Sequence, residues 1–287
     1  MQLLRSTSIL LLLSAAVLFS TGGAAIKAID LSPWQVASFR SGTAALALIL
    51  LLPEARKGWN PRMLPAAVAY SGTLLTFALA TKLTTAANAI FLQSTAPLYL
   101  LMLGPLWLKE PVRRRDLLFA AAVAAGMALL MARTETATVT APDPATGNLL
   151  GAISGIFWAL TVASLRWLGR SGGAALTSVA AGNLFAFLIA LPAALPVARI
   201  SGSDIAVLLY IGVVQIGLAY VCLTRALRHV QAFEAAAILL VEPALNPIWA
   251  WALHGERPGT LSIVGGVVIL AAIGAKAFTE RRSPGKR

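Results

Sequence analysis

One carboxylate lies in the middle of a long apolar stretch of this chain. The stretch runs from Phe233 to Glu256, which is long enough to cross a bilayer, and Glu242 lies near its centre with Pro243 directly after it. An ionised side chain at bilayer depth costs several kcal/mol, so such residues usually face a water-filled cavity or a partner. Glu242 could bind an ammonium group or carry a proton. It could also cap a neighbouring helix or pair with Arg40.

Two further features of the apolar stretches bear on this carboxylate. Pro243 removes a backbone hydrogen bond that lipid cannot replace, so we expect neighbouring helices or water to supply it. Arg40 lies six residues inside an earlier apolar stretch, too deep for an ordinary loop charge, although its side chain could extend toward the membrane surface. Arg40 could neutralise a carboxylate or pair with Glu242.

Neutral amides accompany these charges. An amide can bind amino and carboxyl groups at a lower burial cost than a charge, and it can equally join two helices by a hydrogen bond. Asn246 follows Glu242 by one helical turn, so both side chains should point to the same side. The candidate amides are Asn88, Gln93, Asn183, Gln215 and Asn246.

Aromatic side chains are the candidate walls of a small-molecule cavity, which is usually apolar with a few polar groups. Phe19 and Trp158 stand out because each lies eight residues before a basic residue, Lys27 or Arg166, in corresponding stretches. Any of these rings could instead simply pack in the interior. The candidates are Phe19, Tyr70, Phe77, Phe91, Tyr99, Trp158, Tyr210, Tyr220 and Trp249.

The composition indicates what surrounds these residues. The chain is 58% apolar and 12% charged, with a mean hydropathy of +0.80, and a soluble domain carries roughly twice that charged fraction. The predicted partner is therefore a lipid bilayer. A net charge of +12 could suggest nucleic acid, but binding it would need far more polar surface, so we expect no nucleic-acid partner.

The sequence contains few signals of enzyme chemistry. The single cysteine, Cys222, excludes an intramolecular disulfide, and His229 and His254 are too far apart in sequence to suggest a metal cluster. The chain has no Walker loop, GxSxG elbow or HExxH motif. We therefore expect no enzyme activity, catalytic residue, metal or cofactor.

The apolar stretches predict an all-α integral membrane protein with ten transmembrane helices. Gly151 and Gly155, a GxxxG pair, are expected to allow close helix packing. The predicted spans are 8–26, 34–52, 63–81, 86–108, 116–132, 148–168, 174–197, 204–227, 233–253 and 261–278.

The chain also shows an internal duplication. Pro97 and Glu110 recur as Pro243 and Glu256, both 146 residues later. An odd number of helices per copy places the second copy upside down, as in the inverted repeats of secondary transporters. We therefore predict a first five-helix repeat at 1–132, a periplasmic linker at 133–147, a second repeat at 148–278 and a basic cytoplasmic tail at 279–287.

Lysine and arginine positions predict the orientation. With a cytoplasmic N-terminus, 17 of the 23 basic residues fall at cytoplasmic ends and 6 at the other side, which follows the positive-inside rule. We expect both termini to be cytoplasmic in a bacterial inner membrane. Lys27 and Lys82 lie at the outer ends of their spans, where gating or interfacial anchoring would explain them. Glu110 and Glu256, beside Lys109 and Arg257, are expected to form helix-end ion pairs.

These motifs together resemble the EamA-like repeat of the drug/metabolite transporter superfamily, across nearly the whole chain. The resemblance implies a ten-helix metabolite transporter, with the aromatic amino-acid exporters as the branch it is most similar to. The residues that carry it are Asn88-Ala89, Pro97 and Lys109-Glu110 in one copy, Glu242-Pro243 and Gly255-Glu256 in the other, and Lys27, Pro33 and Arg40.

The expected function is export of amino acids such as Phe, Met or Thr, or similar small metabolites, by alternating access. Within the same fold a drug, purine or nucleotide sugar is the alternative cargo. A channel, an embedded enzyme or a scaffold subunit is less consistent with one deep acid. A monomer should suffice, because duplication removes the need to dimerise. The predicted cavity residues are Glu242, Asn246, Arg40, Phe19, Trp158, Asn88, Phe91, Tyr99, Tyr70, Phe77, Gln215 and Trp249.

Overall fold

A computed structural model of the chain describes residues 2–131, 137–170, 174–255 and seven helical residues between 264 and 275. Within these residues, eight helical stretches are long and apolar enough to cross a membrane. They are Arg5–Lys27, Pro33–Leu51, Pro61–Leu83, Ala86–Leu108, Pro144–Arg170, Ala175–Ala194, Gly202–Ala226 and Ala232–His254. These stretches confirm a multi-pass, all-helical membrane protein in the described part of the chain.

Several spans consist of more than one helical segment. The α-helices are α1 (Gln2–Ser20), α2 (Gly22–Lys27), α3 (Pro33–Leu51), α4 (Leu64–Leu83), α5 (Ala86–Gln93), α6 (Ala96–Leu103), α7 (Arg114–Met131), α8 (Pro144–Arg170), α9 (Ala175–Ala194), α10 (Gly202–Leu209), α11 (Ala219–Ala226), α12 (Ala232–Leu239) and α13 (Val241–His254). Two π-helical segments, Gly104–Leu108 and Tyr210–Leu218, lie within the spans that contain α6 and α10. Short 3₁₀ turns form at Pro53–Arg56 and Pro61–Met63.

The predicted fifth span corresponds to α7, which is not among the eight. Its 18 residues include three charged ones in the first turn, Arg114, Arg115 and Asp116, whereas each of the eight stretches contains 18 residues with at most two. The predicted tenth span and the basic tail fall mostly outside the described residues. So do Glu256 and Arg257.

The interruptions of two spans follow the spacing of the duplication. Helix α5 covers Ala86–Gln93 and α12 covers Ala232–Leu239, so both their starts and their ends are 146 residues apart. Pro97 and Pro243 then fall within the first turn of α6 and of α13. The first N–H groups of a helix have no intrahelical acceptor. The expectation that Pro243 leaves a hydrogen bond for neighbours to replace is therefore wrong.

Small residues bring helices from the two halves of the chain into contact. Helix α4 packs on α8 and α9, α3 packs on α9, and α1 packs on α11 and α13. On α8, Gly147, Gly151 and Gly155 follow one another at four-residue spacing, and all three face the α4–α5 region. A Cβ at Gly155 would lie 2.8 Å from the Leu92 carbonyl oxygen. The GxxxG pair therefore allows close packing, and it extends by one more glycine.

We expect Gly155→Ala to lower the free energy of unfolding by about 1–3 kcal/mol, because the added methyl group would overlap backbone that cannot move freely. Thermal unfolding in detergent measures the effect. Gly202→Ala is the matched control, since nothing lies within 4 Å of a Cβ at that position. Equal unfolding temperatures for the two variants would contradict this account of the glycine face.

Candidate functional site

A cavity inside the bundle brings together residues from both halves of the chain. Its empty volume is about 390 Å³, including the part that is open to solvent. Three interrupted spans, through Phe19, Gln93 and Glu242, and the longer π-helical segment contribute to its wall. The lining residues are Phe19, Arg40, Thr73, Leu74, Phe77, Gln93, Trp158, Gln215, Ile216, Tyr220 and Glu242.

Both predicted deep charges line this cavity. Arg40 is 2% exposed; its Nη2 donates to the Leu74 carbonyl oxygen at 2.6 Å, and its Nε has no partner among the described residues. Arg40 and Glu242 do not form an ion pair with each other within 4.0 Å. The proposed pairing of these two side chains is therefore absent in this conformation.

Glu242 is buried in the first turn of α13, where the partial positive charge of the helix N-terminus favours a carboxylate. Within residues 2–131, 137–170 and 174–255, its carboxylate makes no hydrogen bond or ion pair. A cap on a neighbouring helix is thus not observed. The carboxylate is left facing the cavity.

Three aromatic rings form one wall of the cavity. Phe19 meets Trp158 edge-on at 6.2 Å between centroids and Tyr220 at 5.1 Å, and Trp158 lies 6.3 Å from Tyr220. Edge-to-face contacts at these distances fix the rings relative to one another. The matched pair Phe19 and Trp158, selected from the sequence, therefore do meet in space.

Two glutamines and a threonine add polar groups to the wall. Gln93 Nε2 donates to Ser154 Oγ at 2.8 Å, and Thr73 Oγ1 lies 3.0 Å from Thr161 Oγ1. Gln215 Nε2 donates to the Phe19 carbonyl oxygen at 3.3 Å, whereas its Oε1 has no partner among the described residues. Gln93 and Thr73 are thus held by the protein, while Gln215 retains a free acceptor.

Six of the twelve predicted residues line the cavity, and six lie elsewhere. Tyr70 stands behind Tyr220, with ring centroids 4.4 Å apart, and its hydroxyl accepts from Asn183 Nδ2 at 3.3 Å. Asn88 donates to Asn148 Oδ1 at 3.4 Å. Trp249 Nε1 donates to Ser20 Oγ at 3.0 Å. For these three side chains, contacts within the protein explain why a polar or aromatic group is present.

The other three predicted residues differ in their surroundings. Phe91 is buried in the main hydrophobic core, and Tyr99 packs against that core at its edge. Asn246 is fully buried against the α1–α2 junction. None of the three lines the cavity.

Sequence reasoning missed Thr73, Leu74 and Ile216 as cavity residues. Thr73 precedes the predicted Phe77 by one helical turn, so helical spacing on α4 could have indicated it. Ile216 follows Gln215 directly within the π-helical segment, whose wider turn changes the usual side-chain directions. Nothing in the sequence indicated that segment.

Polar contacts close the bundle at the end where α2 terminates. Lys27 Nζ donates to the carbonyl oxygens of Thr84 at 3.1 Å and Thr140 at 2.5 Å, and Lys82 Nζ donates to that of Ile29 at 2.5 Å. Both lysines thus join segments to one another, which is more than interfacial anchoring.

An ion-pair network closes the opposite end. Glu110 Oε1 accepts from Arg166 Nε at 2.8 Å and lies 4.0 Å from Arg170 Nη1, while its Oε2 accepts from the Ala232 N–H at 3.1 Å. The expectation that Glu110 belongs to a local pair beside Lys109 is wrong. Lys109 adopts a left-handed backbone conformation with φ of 54°, and the carboxylate reaches α8 instead.

The apolar spans define a multi-pass integral membrane protein. A family model described as the EamA-like transporter family matches residues 6–132 and 145–275. The chain belongs to the EamA-like transporter family, within the drug/metabolite transporter superfamily, and is a membrane transporter. The similarity to the aromatic amino-acid exporter branch stays a prediction.

Individual relatives are more distant. An uncharacterized transporter of Archaeoglobus fulgidus is 26% identical over 219 residues, covering 72% of this chain and 73% of that protein. An uncharacterized transporter of Methanothermobacter thermautotrophicus is 22% identical over 197 residues, covering 66% of this chain and 56% of that protein. A solved crystal structure matches with a TM-score of 0.75 at 17% identity, covering 98% of this chain and 100% of that chain, which establishes the shared fold.

Replacing Glu by Gln should change stability differently at Glu110 and at Glu242. Glu110→Gln leaves Arg166 facing a neutral group, so we expect a loss of about 2 kcal/mol of unfolding free energy. Glu242→Gln replaces a carboxyl group that has no partner among the described residues by a neutral side chain of the same shape, so the unfolding temperature should stay unchanged or rise. Thermal unfolding in detergent at neutral pH compares them. A similar decrease in both would show that Glu242 has a stabilising partner.

Proposed function

We propose that the protein is a secondary transporter that exports amino acids with aromatic or other neutral side chains, such as Phe, Met or Thr, or similar small metabolites. The substrate would bind in the central cavity. The bundle would open first to one side and then to the other.

The composition of the cavity wall is the observation that carries this proposal. Glu242 offers a carboxylate to an ammonium group, and the Nε of Arg40, which has no partner in the described chain, offers a donor to a carboxylate. Phe19, Trp158 and Tyr220 offer an apolar surface for a side chain. A zwitterion with a neutral side chain complements all three features.

Alternating access would come from two inverted five-helix repeats, ten helices in all. Support comes from the 146-residue spacing that relates α5 to α12 and from the family model's match to two segments of the chain. The two polar closures, around Lys27 and around Glu110, would then be the gates that open in turn. In this proposal the protein acts as a monomer in a cell membrane, with both termini on the cytoplasmic side.

The driving force would be the substrate gradient or a proton moving inward through Glu242. A buried carboxylate without a protein partner can take up and release a proton as the cavity opens to either side. Export would then be exchanged for proton entry.

A drug, purine or nucleotide sugar is the alternative cargo. Phosphate-bearing cargo would call for several cationic side chains in the cavity. Arg40 alone supplies one among the described lining residues, so the cavity favours a cargo without phosphate.

Uptake of radiolabelled phenylalanine, methionine and threonine into proteoliposomes tests the proposal. Because proton and substrate move in opposite directions, an acidic lumen should accelerate uptake. We expect saturable uptake by the wild type, and a loss of at least tenfold, or of the pH dependence, in Glu242→Gln. Glu54→Gln, an exposed carboxylate outside the spans, is the control and should behave as the wild type.

Other outcomes would redirect the proposal. Amino-acid uptake that is unchanged in Glu242→Gln would remove this carboxylate from the transport cycle. Wild-type vesicles that move none of the three amino acids would contradict the substrate class, and drugs and nucleobases would be the next cargo to examine.

A further inference from the structure

Asn246 is a buried amide that the described part of the chain does not satisfy. Its exposure is 0%, and neither Oδ1 nor Nδ2 has a hydrogen-bond partner among the described residues. A buried polar group without a partner costs about 1–3 kcal/mol. The usual structural use of such an amide, a hydrogen bond between helices, is absent here.

Gln215, on the π-helical segment Tyr210–Leu218, is a second amide that is only partly satisfied within the described chain. Its Oε1 has no partner within the described chain, and its Nε2 makes one long contact, of 3.3 Å, with the Phe19 carbonyl oxygen. A π-helical segment within a span often coincides with a functional site. Two amides with unused hydrogen-bonding capacity thus come from two different spans.

Both amides point at consecutive glycines where the first span passes from α1 to α2. A Cβ at Gly22 would lie 2.6 Å from Gln215 Nε2, and one at Gly23 would lie 2.7 Å from Asn246 Oδ1. Any larger residue at either position would displace an amide. Because glycine has no side chain, Gly22 and Gly23 leave the space that these two amides occupy.

The amide pair adjoins the central cavity. Gln215 lines that cavity, and Asn246 follows Glu242 by one turn of α13. Beyond the pair, His254 Nε2 lies 2.7 Å from the Ala24 carbonyl oxygen, and Lys27 closes the same end of the bundle. The pair therefore lies between the central cavity and a closed end.

We propose that Gln215 and Asn246 form a second substrate subsite, through which the amino acid passes between the cavity and the end that carries Lys27 and Lys82. This inference rests on the proposed function. Amide oxygens accept from an ammonium group and amide N–H groups donate to a carboxylate, so a neutral pair can hold either end of a zwitterion. Because the pair carries no charge, it binds the substrate without holding it as strongly as Glu242 and Arg40 would.

Asn246→Leu separates this role from a structural one. The substitution removes an amide with no partner among the described residues, so the unfolding temperature should stay unchanged or rise, while phenylalanine uptake into proteoliposomes should fall at least tenfold. Asn183→Leu is the matched control. Asn183 is also fully buried and its Oδ1 has no partner among the described residues, but its Nδ2 donates to Tyr70 Oη and to the Val179 carbonyl oxygen, so that variant should lose thermal stability.

Thiol labelling gives a readout that does not depend on turnover. Cys222 is the single cysteine of the chain, so Cys222→Ser provides a background without thiols in which Asn246→Cys is introduced. A small charged thiosulfonate reagent should modify this position in proteoliposomes, and phenylalanine should slow the reaction at least threefold. Ala159→Cys, at a fully buried apolar position of α8, should not react.

The outcomes distinguish the subsite from the proposed function. If the wild type transports phenylalanine and Glu242→Gln does not, yet Asn246→Leu transports normally, the subsite is wrong and the central cavity stands. An Asn246→Cys variant that the reagent does not reach would also overturn the subsite. If the wild type moves no amino acid, labelling at this position would still support a polar solute route, and only the substrate class would fail.

Discussion

The structure depends on one constraint, which is that a backbone surrounded by lipid must satisfy its own hydrogen bonds. The interruptions in the spans obey it. At the α5–α6 and α12–α13 junctions, the N–H groups of Thr95 and Leu240 bond to carbonyl oxygens three residues earlier. Pro97 and Pro243 lie in first turns, where no N–H is required. Interrupted spans are therefore tolerated, and Phe19, Gln93 and Glu242, all near interruptions, line the same cavity.

Buried carboxylates face a similar constraint, and Glu110 and Glu242 meet it differently. Glu110 is buried, but Arg166, Arg170 and the Ala232 N–H surround it. It therefore joins the segment that precedes α7 to α8 and to the start of α12. Glu242 is as buried and has no such partners in the described chain. A carboxylate that the fold has paired stabilises one arrangement of the helices. An unpaired carboxylate beside an internal cavity is available for a ligand or a proton.

Glycine gives the bundle its close contacts, and the contacts differ in kind. At Gly151 and Gly155 the neighbour is the backbone and side chain of Leu92 and Thr95, and the result is packing. At Gly22 and Gly23 the neighbours are amides with unused hydrogen-bonding atoms. The same residue type therefore serves helix packing in one place and leaves space for polar groups in the other. The burial and pairing of the neighbouring groups make that difference visible.

The sequence by itself determined the membrane class, the limits of most spans and the deep positions of Glu242 and Arg40, because hydropathy and charge are local properties of the chain. Its repeated prolines indicated the duplication, and they lie just after the interruptions, in the first turns of α6 and α13. Only the tertiary structure decided that Phe19 contacts Trp158, that Asn88 donates a hydrogen bond to Asn148, and that Glu110 pairs with Arg166, 56 residues away. Each of these contacts depends on which faces of the helices are turned toward one another. In a chain that is apolar on nearly every face, periodicity does not specify those faces.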